Sequence, residues 1–99
     1  MYRIQQTEVF AKWLAALRCA RVRARILARL ESARLGNLGD TKSMGRGIWE
    51  MRLHLGPGYR LYFTRRSDRL LLLLCGGEKP TQARDVERAR RLLEALHRR

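Results

Sequence analysis

The stretch WEMRLHLGPGYRLYFTRRSDRLLLLLCG, residues 49–76, decides the fold of this chain. Apolar and polar side chains alternate over residues 49–55, which is typical of a strand with one buried face. Gly56-Pro57-Gly58 indicates a turn, residues 59–65 form a second strand, and Ser67-Asp68 indicate another tight turn. Residues 70–76 form a third strand, whose consecutive leucines predict that both of its faces are buried. The stretch therefore predicts a three-stranded antiparallel meander.

Two helices are predicted before the meander. Residues 2–5 alternate like a short edge strand, and Thr7 is placed to cap the helix that follows. Two apolar stripes with helical spacing come next, the first made of Val9, Phe10, Trp13, Leu14 and Leu17, the second of Val22, Ile26, Leu30 and Ala33. On one continuous helix these stripes would point in roughly opposite directions. The chain is therefore predicted to break near residues 18–21 into a helical hairpin, and Gly36 is expected to end its second helix.

The remaining segments complete the predicted order of elements. Residues 36–47 are rich in glycine and are predicted to be a loop. Pro80 and Thr81 begin a final helix, in which Val86, Ala89 and Leu96 face inward. The expected order is β-α-α-β-β-β-α. It describes an α+β fold with a small, mainly antiparallel sheet, all helices packed on one face of that sheet, and one domain over residues 1–99.

The charge of the chain indicates the kind of partner that it meets. Its 99 residues include 22 Lys and Arg against 9 Asp and Glu, a formal net charge of +13 at pH 7. Such an excess destabilises the compact state by self-repulsion, and its commonest reason is a nucleic-acid partner. An acidic protein or an anionic membrane surface would supply the same counter-charge. A hydrophobic share of 45% is enough to form a core, which excludes a disordered basic tail.

Other classes of protein are not favoured by the sequence. No signal peptide or membrane span is apparent, since the longest apolar run, residues 70–75, has the length of a strand. Cys19 and Cys75 lack the spacing of metal ligands and are expected to be buried or half-buried thiols in a reducing cytosol. We therefore expect a cytoplasmic protein without membrane association, metal or cofactor.

The predicted meander has one polar face that carries groups suited to catalysis. The pleat places four of them on the side away from the apolar residues, namely Arg52, His54, Arg60 and Tyr62. A histidine titrates in the range that general acid–base catalysis needs, arginine suits a scissile phosphate, and tyrosine stacks a base or donates a proton. Together they fit metal-free cleavage of RNA, in which a base takes the 2′-OH proton and cations stabilise the phosphorane. An ordinary solvated sheet face would present the same residue types.

Further basic residues are predicted around this face. Lys79, just after the third strand, joins the candidate catalytic set and closes one end of the site with Arg84, while Lys42 and Arg46 flank the other end. Four arginines of the helical hairpin form one basic stripe: Arg18, Arg21, Arg25 and Arg29. The stripe is either a solvated helix face or a contact surface for RNA phosphates or an acidic protein segment. The candidate RNA-binding residues are therefore Lys42, Arg46, Arg84 and these four arginines.

With these segments in place, the chain resembles the RelE/ParE toxin superfamily, and most nearly its HigB-like branch, the phage Gp49-like addiction module killer proteins. The most specific stretch is Gly56-Pro57-Gly58-Tyr59-Arg60-Leu61-Tyr62-Phe63. It is supported by residues 10–14, 25–26, 36–40, 42, 45, 47, 50–52, 72–79 and 82–89. The resemblance covers nearly the whole chain and implies the same α+β fold.

The resemblance implies a growth-inhibiting toxin of a type II toxin–antitoxin system. Such a toxin is neutralised by a cognate antitoxin, usually one with a helix-turn-helix domain, and the pair often forms a heterotetramer. RelE-like and HigB-like members are ribosome-dependent endoribonucleases that cleave mRNA, whereas ParE-like members inhibit DNA gyrase. A simple nucleic-acid-binding module also fits the charge, but the chain lacks the pattern of a recognition helix.

Individual residues match the ribonuclease members in part. Arg60 matches their phosphate-binding arginine, Arg52 matches a basic residue of the preceding strand, and Lys79 matches one after the last strand. Glu50 stands where a further basic residue is expected, and the C-terminal Tyr or His of some members has no counterpart, since Asp85 lies near that position. The leading hypothesis is therefore a metal-independent mRNA endoribonuclease acting on the ribosome, with His54 or Tyr62 in acid–base roles. The alternative is a ParE-like inhibitor of gyrase.

Overall fold

The computed structural model describes residues 1–98, which form one sheet and three α-helices. The elements are β1 (Arg3–Gln6), α1 (Glu8–Ala16), α2 (Ala20–Arg34), β2 (Thr41–Gly45), β3 (Ile48–Leu53), β4 (Tyr59–Ser67), β5 (Leu70–Glu78) and α3 (Gln82–His97). A 3-10 turn, Lys79–Thr81, leads into α3. The strand order is β1-β5-β4-β3-β2, and only the β1–β5 pair is parallel. The predicted α+β class with a mainly antiparallel sheet is confirmed.

The first two helices form where the apolar stripes predicted them. The Thr7 hydroxyl accepts a 3.0 Å hydrogen bond from the Phe10 amide and so caps α1. The end of α2 is a Schellman motif: Gly36 has φ 106°, its amide donates to the Ala33 carbonyl, and the Asn37 amide donates to the Ser32 carbonyl. The break between the helices and the role of Gly36 are thus as predicted.

The prediction of a loop over residues 36–47 is wrong in its second half. Residues Thr41–Gly45 form β2, which pairs antiparallel with β3. Gly45 lies opposite Ile48, and the two residues between them, Arg46 and Gly47, have φ angles of 55° and 82°. A two-residue turn with positive φ at both positions follows the natural twist of a hairpin, and glycine makes it accessible. Gly45 and Gly47, two of the glycines that suggested a loop, therefore belong to a tight turn that extends the sheet.

The prediction that all helices pack on one face of the sheet is also wrong. On one face, α1 and α2 cover a core that includes Phe10, Ile26, Met51, Leu61, Phe63, Leu71 and Leu73. On the other face, α3 covers a second core made of Ile48, Tyr62, Leu72, Leu74, Cys75, Val86, Ala89 and Leu93. The physical reason is β5, because alternate leucines of that strand point to opposite faces and each set needs its own cover.

Two glycines at the end of β5 allow both layers to approach the strand closely. A Cβ atom on Gly76 would collide with the Trp13 ring of α1, and one on Gly77 would collide with the Asp85 carboxylate of α3. Asp85 is itself buried and accepts a 2.5 Å hydrogen bond from the Thr81 hydroxyl. The first turn of α3 is therefore seated against the sheet at the end where β5 stops. Within residues 1–98, no helix is long and apolar enough to cross a membrane.

Candidate functional site

A cleft of about 410 Å³ opens at the end of the sheet where β3 and β5 stop and β4 begins. We call it the sheet-end cleft; its polar lining is Arg52, His54, Tyr59, Arg60 and Lys79. The Gly56–Gly58 turn forms its rim, and the Lys79 amide donates a 2.8 Å hydrogen bond to the Gly58 carbonyl. Three cationic side chains from three different strand ends thus meet in one concave surface, a favourable arrangement for a phosphate group.

The buried carboxylate of Glu50 organises the inner wall of the cleft. Glu50 is fully buried in β3, and its Oε1 accepts a 2.9 Å hydrogen bond from Arg60 Nη1. Its Oε2 accepts hydrogen bonds from the Tyr62 hydroxyl at 3.0 Å and from Gln82 Nε2 at 2.7 Å. Arg52 Nε lies 3.7 Å from Oε1. A buried charge is tolerated only when it is paired and hydrogen-bonded, and this carboxylate meets both conditions.

Arg60 and Arg52 differ in how freely they reach solvent. The Arg60 side chain is 12% exposed, and that of Arg52 is 32% exposed. Their Nε atoms are buried and have no hydrogen-bond partner among residues 1–98. Buried donors are nearly always paired in folded proteins, so these two arginines leave hydrogen-bonding capacity unused in the wall of the cleft.

Tyr62 lies behind the cleft and not in it. Its ring is fully buried in the core under α3, and its hydroxyl donates to Glu50. Burial raises the pKa of Tyr62, and the neighbouring Glu50 carboxylate raises it further. The pleat of β4 does place Tyr62 on the same face as Arg60, as expected, but α3 covers that position because it packs on this face of the sheet.

His54 forms a pair with Asp40 at the mouth of the cleft. His54 Nε2 lies 2.6 Å from Asp40 Oδ2, and the histidine side chain is 76% exposed. The hydrogen bond from His54 holds the pKa of Asp40 below its usual value, and the Arg52 charge, whose Nη2 lies 3.4 Å from Oδ1, acts in the same direction. The other ring nitrogen of His54 has no hydrogen bond within the described residues. A carboxylate that orients one imidazole nitrogen leaves the other available for proton transfer.

Arg29 holds the loop that carries Asp40. Its guanidinium donates to the carbonyls of Arg52 at 2.7 Å, Leu38 at 3.1 Å and Asp40 at 3.0 Å. A Cβ atom on Gly39 would lie 2.7 Å from this guanidinium, so the loop passes close against it. Arg29 therefore fixes Asp40 beside His54, a contact that spacing along α2 did not reveal.

The other predicted basic residues lie outside the sheet-end cleft. Arg25 and Arg29 line a second, smaller pocket that also contacts His54. Arg18 is exposed between α1 and α2, and Arg21 is exposed in the first turn of α2. Arg84 is exposed on the first turn of α3, and Lys42 is exposed on β2. Arg46 lies in the β2–β3 turn near His97, at the far end of α3.

The structure thus brings together part of the predicted site and adds to it. Arg52, His54, Arg60 and Lys79 share the cleft, whereas Tyr62 supports it from behind. Asp40 and Gln82 were not predicted as site residues. Their signals were weak, because Asp40 lies 14 residues from its partner and Gln82 lies 32 residues from Glu50.

Comparison with known proteins assigns the chain to a family. Residues 12–94 match the model of the family described as phage derived protein Gp49-like. The chain belongs to this family. It is also 42% identical over 93 residues to an uncharacterized protein of Haemophilus influenzae, a match that covers 94% of each chain.

Solved structures share the fold of this Gp49-like protein. The isolated RelE toxin of Escherichia coli superimposes with a TM-score of 0.66 over 89% of this chain and 98% of RelE, at 18% identity. The intact E. coli RelBE toxin–antitoxin complex gives the same TM-score over 79% of this chain and 96% of the matched chain, also at 18% identity. The E. coli DinJ–YafQ complex gives a TM-score of 0.55 over 82% of this chain and 97% of its own matched chain, at 17% identity. The resemblance to the RelE/ParE superfamily is therefore confirmed at the level of the fold.

Proposed function

We propose that this Gp49-like protein is the toxin of a type II toxin–antitoxin system and a metal-independent endoribonuclease that cleaves mRNA on the ribosome. The observation that carries this proposal is the sheet-end cleft, which combines Arg52, Arg60 and Lys79 with the His54–Asp40 pair. Three cations and an oriented imidazole are the groups that cleavage of an RNA backbone requires. The RelE-like fold and the net charge of +13 support the same function.

The cleavage step assigns a role to each of these side chains. The free nitrogen of His54 takes the proton from a 2′-OH, while Asp40 holds the ring and stabilises its charged form. The 2′-oxygen attacks phosphorus, the bond to the 5′-oxygen breaks, and the products are a 2′,3′-cyclic phosphate and a 5′-hydroxyl. Arg52 and Arg60 stabilise the negative charge of the phosphorane, and Lys79 lies at the rim to protonate the leaving oxygen.

Tyr62 has a supporting role in this scheme. Its burial and its hydrogen bond to Glu50 keep the hydroxyl away from the bound phosphate. The acid–base work therefore belongs to His54 and Lys79.

The basic residues outside the cleft are assigned to RNA positioning. Arg18, Arg21, Arg25 and Arg84 are exposed, as are Lys42 and Arg46, and they contact phosphates of mRNA or ribosomal RNA. Arg29 contributes through the loop that it holds.

The partners follow from the same proposal. The chain acts in the cytoplasm on translating ribosomes, and a cognate antitoxin, of the helix-turn-helix type, neutralises it. The two RelE-fold structures solved as complexes, RelBE and DinJ–YafQ, support an antitoxin partner. A toxin–antitoxin heterotetramer is the expected assembly.

A test of the function compares two processes in cells after brief induction of the toxin. An endoribonuclease stops incorporation of labelled amino acids first, and His54→Ala abolishes this arrest whereas His97→Ala, at the exposed end of α3, does not. Loss of general base catalysis lowers the rate about 100- to 10,000-fold. Early DNA-damage signalling with continued protein synthesis would instead favour the ParE-like inhibition of gyrase.

A further inference from the structure

The buried network around Glu50 joins two parts of the molecule that are far apart in sequence. Glu50 and Arg60 lie on neighbouring strands, β3 and β4, whereas Gln82 is the first residue of α3. Both carboxylate oxygens of Glu50 are occupied, Oε1 by Arg60 and Oε2 by Tyr62 and Gln82. The first turn of α3 is therefore linked to the cleft arginine through a single buried group.

This link determines which conformations Arg60 can adopt. The Arg60 side chain is only 12% exposed, and its Nη1 donates a 2.9 Å hydrogen bond to Glu50. Glu50 in turn has no access to solvent or to substrate, since its side chain is 0% exposed. A carboxylate in this position does not act on RNA directly; it neutralises Arg60 and fixes the direction of its guanidinium.

The Gln82 amide is the third side chain that donates a hydrogen bond to Glu50, after Arg60 and Tyr62. At 2.7 Å its hydrogen bond to Oε2 is the shorter of the two on that oxygen. Gln82 also lies next to the point where the first turn of α3 packs on the sheet. There the Thr81 hydroxyl donates to Asp85, and the missing side chain of Gly77 leaves room for the Asp85 carboxylate. The position of α3 on the sheet therefore determines whether Gln82 reaches Glu50, although α3 contributes no residue to the lining of the cleft.

We infer that Glu50 and Gln82 are positioning residues, which hold Arg60 in the orientation needed to stabilise the transition state and make the seating of α3 a condition for activity. This inference rests on the proposed ribonuclease function for its consequence but not for its geometry. Misplacement of a catalytic group by about 1 Å can cost a factor of 100 in rate, so loss of the Gln82 hydrogen bond is expected to slow cleavage at least about tenfold.

The test uses Gln82→Met, which keeps the volume of the side chain and removes its N–H donors. The matched control is Gln5→Met, because Gln5 is an exposed glutamine of the edge strand β1. The first measurement is the Nε–H signal of Arg60 in an NMR spectrum of the full chain, whose exchange with water is slow when the group is buried and fixed. We expect a protected signal in the wild type and in Gln5→Met, and fast exchange in Gln82→Met.

The second measurement is the cleavage rate on ribosomes programmed with a defined mRNA. Gln82→Met should lower kcat without changing KM, and it should have no further effect in the Arg60→Lys background, because both substitutions then act on one group. An unchanged Arg60 signal in Gln82→Met, or an equal loss of rate in both backgrounds, would overturn the inference. If the wild type cuts no RNA while the Arg60 signal still responds to Gln82→Met, the positioning holds and the proposed activity is wrong.

Discussion

Replacement of Glu50 by alanine is expected to destabilise the fold strongly, because this residue lies at the centre of a buried network. The carboxylate is fully buried, neutralises Arg60 at 2.9 Å and accepts hydrogen bonds from Tyr62 and Gln82. Removal of one partner of a buried ion pair typically costs about 3–5 kcal/mol, because the other charge stays behind uncompensated. Arg60 borders the cleft and can turn toward water, so the lower end of this range, about 3 kcal/mol, is expected.

That loss is large for a protein of this size. A domain of 60–100 residues loses about 4–8 °C in Tm for each kcal/mol, so Glu50→Ala is expected to lower Tm by at least about 12 °C. Urea unfolding monitored by the fluorescence of Trp13 and Trp49 measures the change in free energy directly. Glu87→Ala is the matched control, since Glu87 is an exposed glutamate whose pair with Arg90 is 3.6 Å long. A change within about 0.5 kcal/mol is expected there.

A second variant separates the ion pair from simple loss of packing. In the background of Arg60→Ala, the cost of Glu50→Ala should be smaller by at least about 0.5 kcal/mol than in the wild type, because no uncompensated arginine charge is then left behind. A change below about 1 kcal/mol for Glu50→Ala alone, or strict additivity with Arg60→Ala, would refute the reasoning about this buried pair.

Three further predictions concern the packing around the site and the two thiols. Gly77→Ala is expected to destabilise the fold by about 1–3 kcal/mol, because its Cβ collides with the Asp85 carboxylate, and urea unfolding should show less than additive loss when it is combined with Asp85→Ala. Tyr62→Phe removes a donor to a buried carboxylate and should cost about 1–3 kcal/mol, measured in the same way; a neutral effect would contradict the hydrogen bond. Burial raises the pKa of Cys75 to about 12, whereas backbone hydrogen bonds from Val22 and Arg21 lower the pKa of exposed Cys19. Iodoacetamide at about pH 8 should therefore modify only Cys19 in the native protein and both thiols after unfolding, as read by mass spectrometry; equal native rates would contradict the burial of Cys75.

The helices and the meander were predictable because their signals are local. Periodicity located the two helices, and the patterns in residues 49–55 and 59–65 located the strands that the structure places at Ile48–Leu53 and Tyr59–Ser67. The position of α3 was predicted on the wrong face of the sheet, although the run of leucines in β5 already required cover on both faces. Strand β2 was missed because its glycines belong to a tight turn with positive φ, and glycine content alone does not separate a turn from a longer loop.

The site was predictable only where one strand pleat determines its geometry. Arg52, His54 and Arg60 were placed together because neighbouring strands carry them to one end of the sheet. The contacts of Asp40 and Glu50 depend on how distant segments pack together, and the spacing of residues along the sequence does not indicate this packing. The hydrogen bonds of Arg29 to the loop carbonyls could not be predicted for the same reason. The sequence pattern of a basic helix face is the same whether its arginines are solvated or hydrogen-bonded to the protein.

Primer extension on cellular mRNA after induction of the protein reveals whether the sheet-end cleft cleaves mRNA. Arg60→Ala is compared with the wild type and with Arg66→Ala, an exposed arginine farther along the same strand. The wild type and Arg66→Ala should produce discrete cuts within reading frames, and Arg60→Ala should produce none at equal protein level. Intact mRNA in cells whose growth has stopped, or cuts that persist in Arg60→Ala, would contradict mRNA cleavage by this cleft.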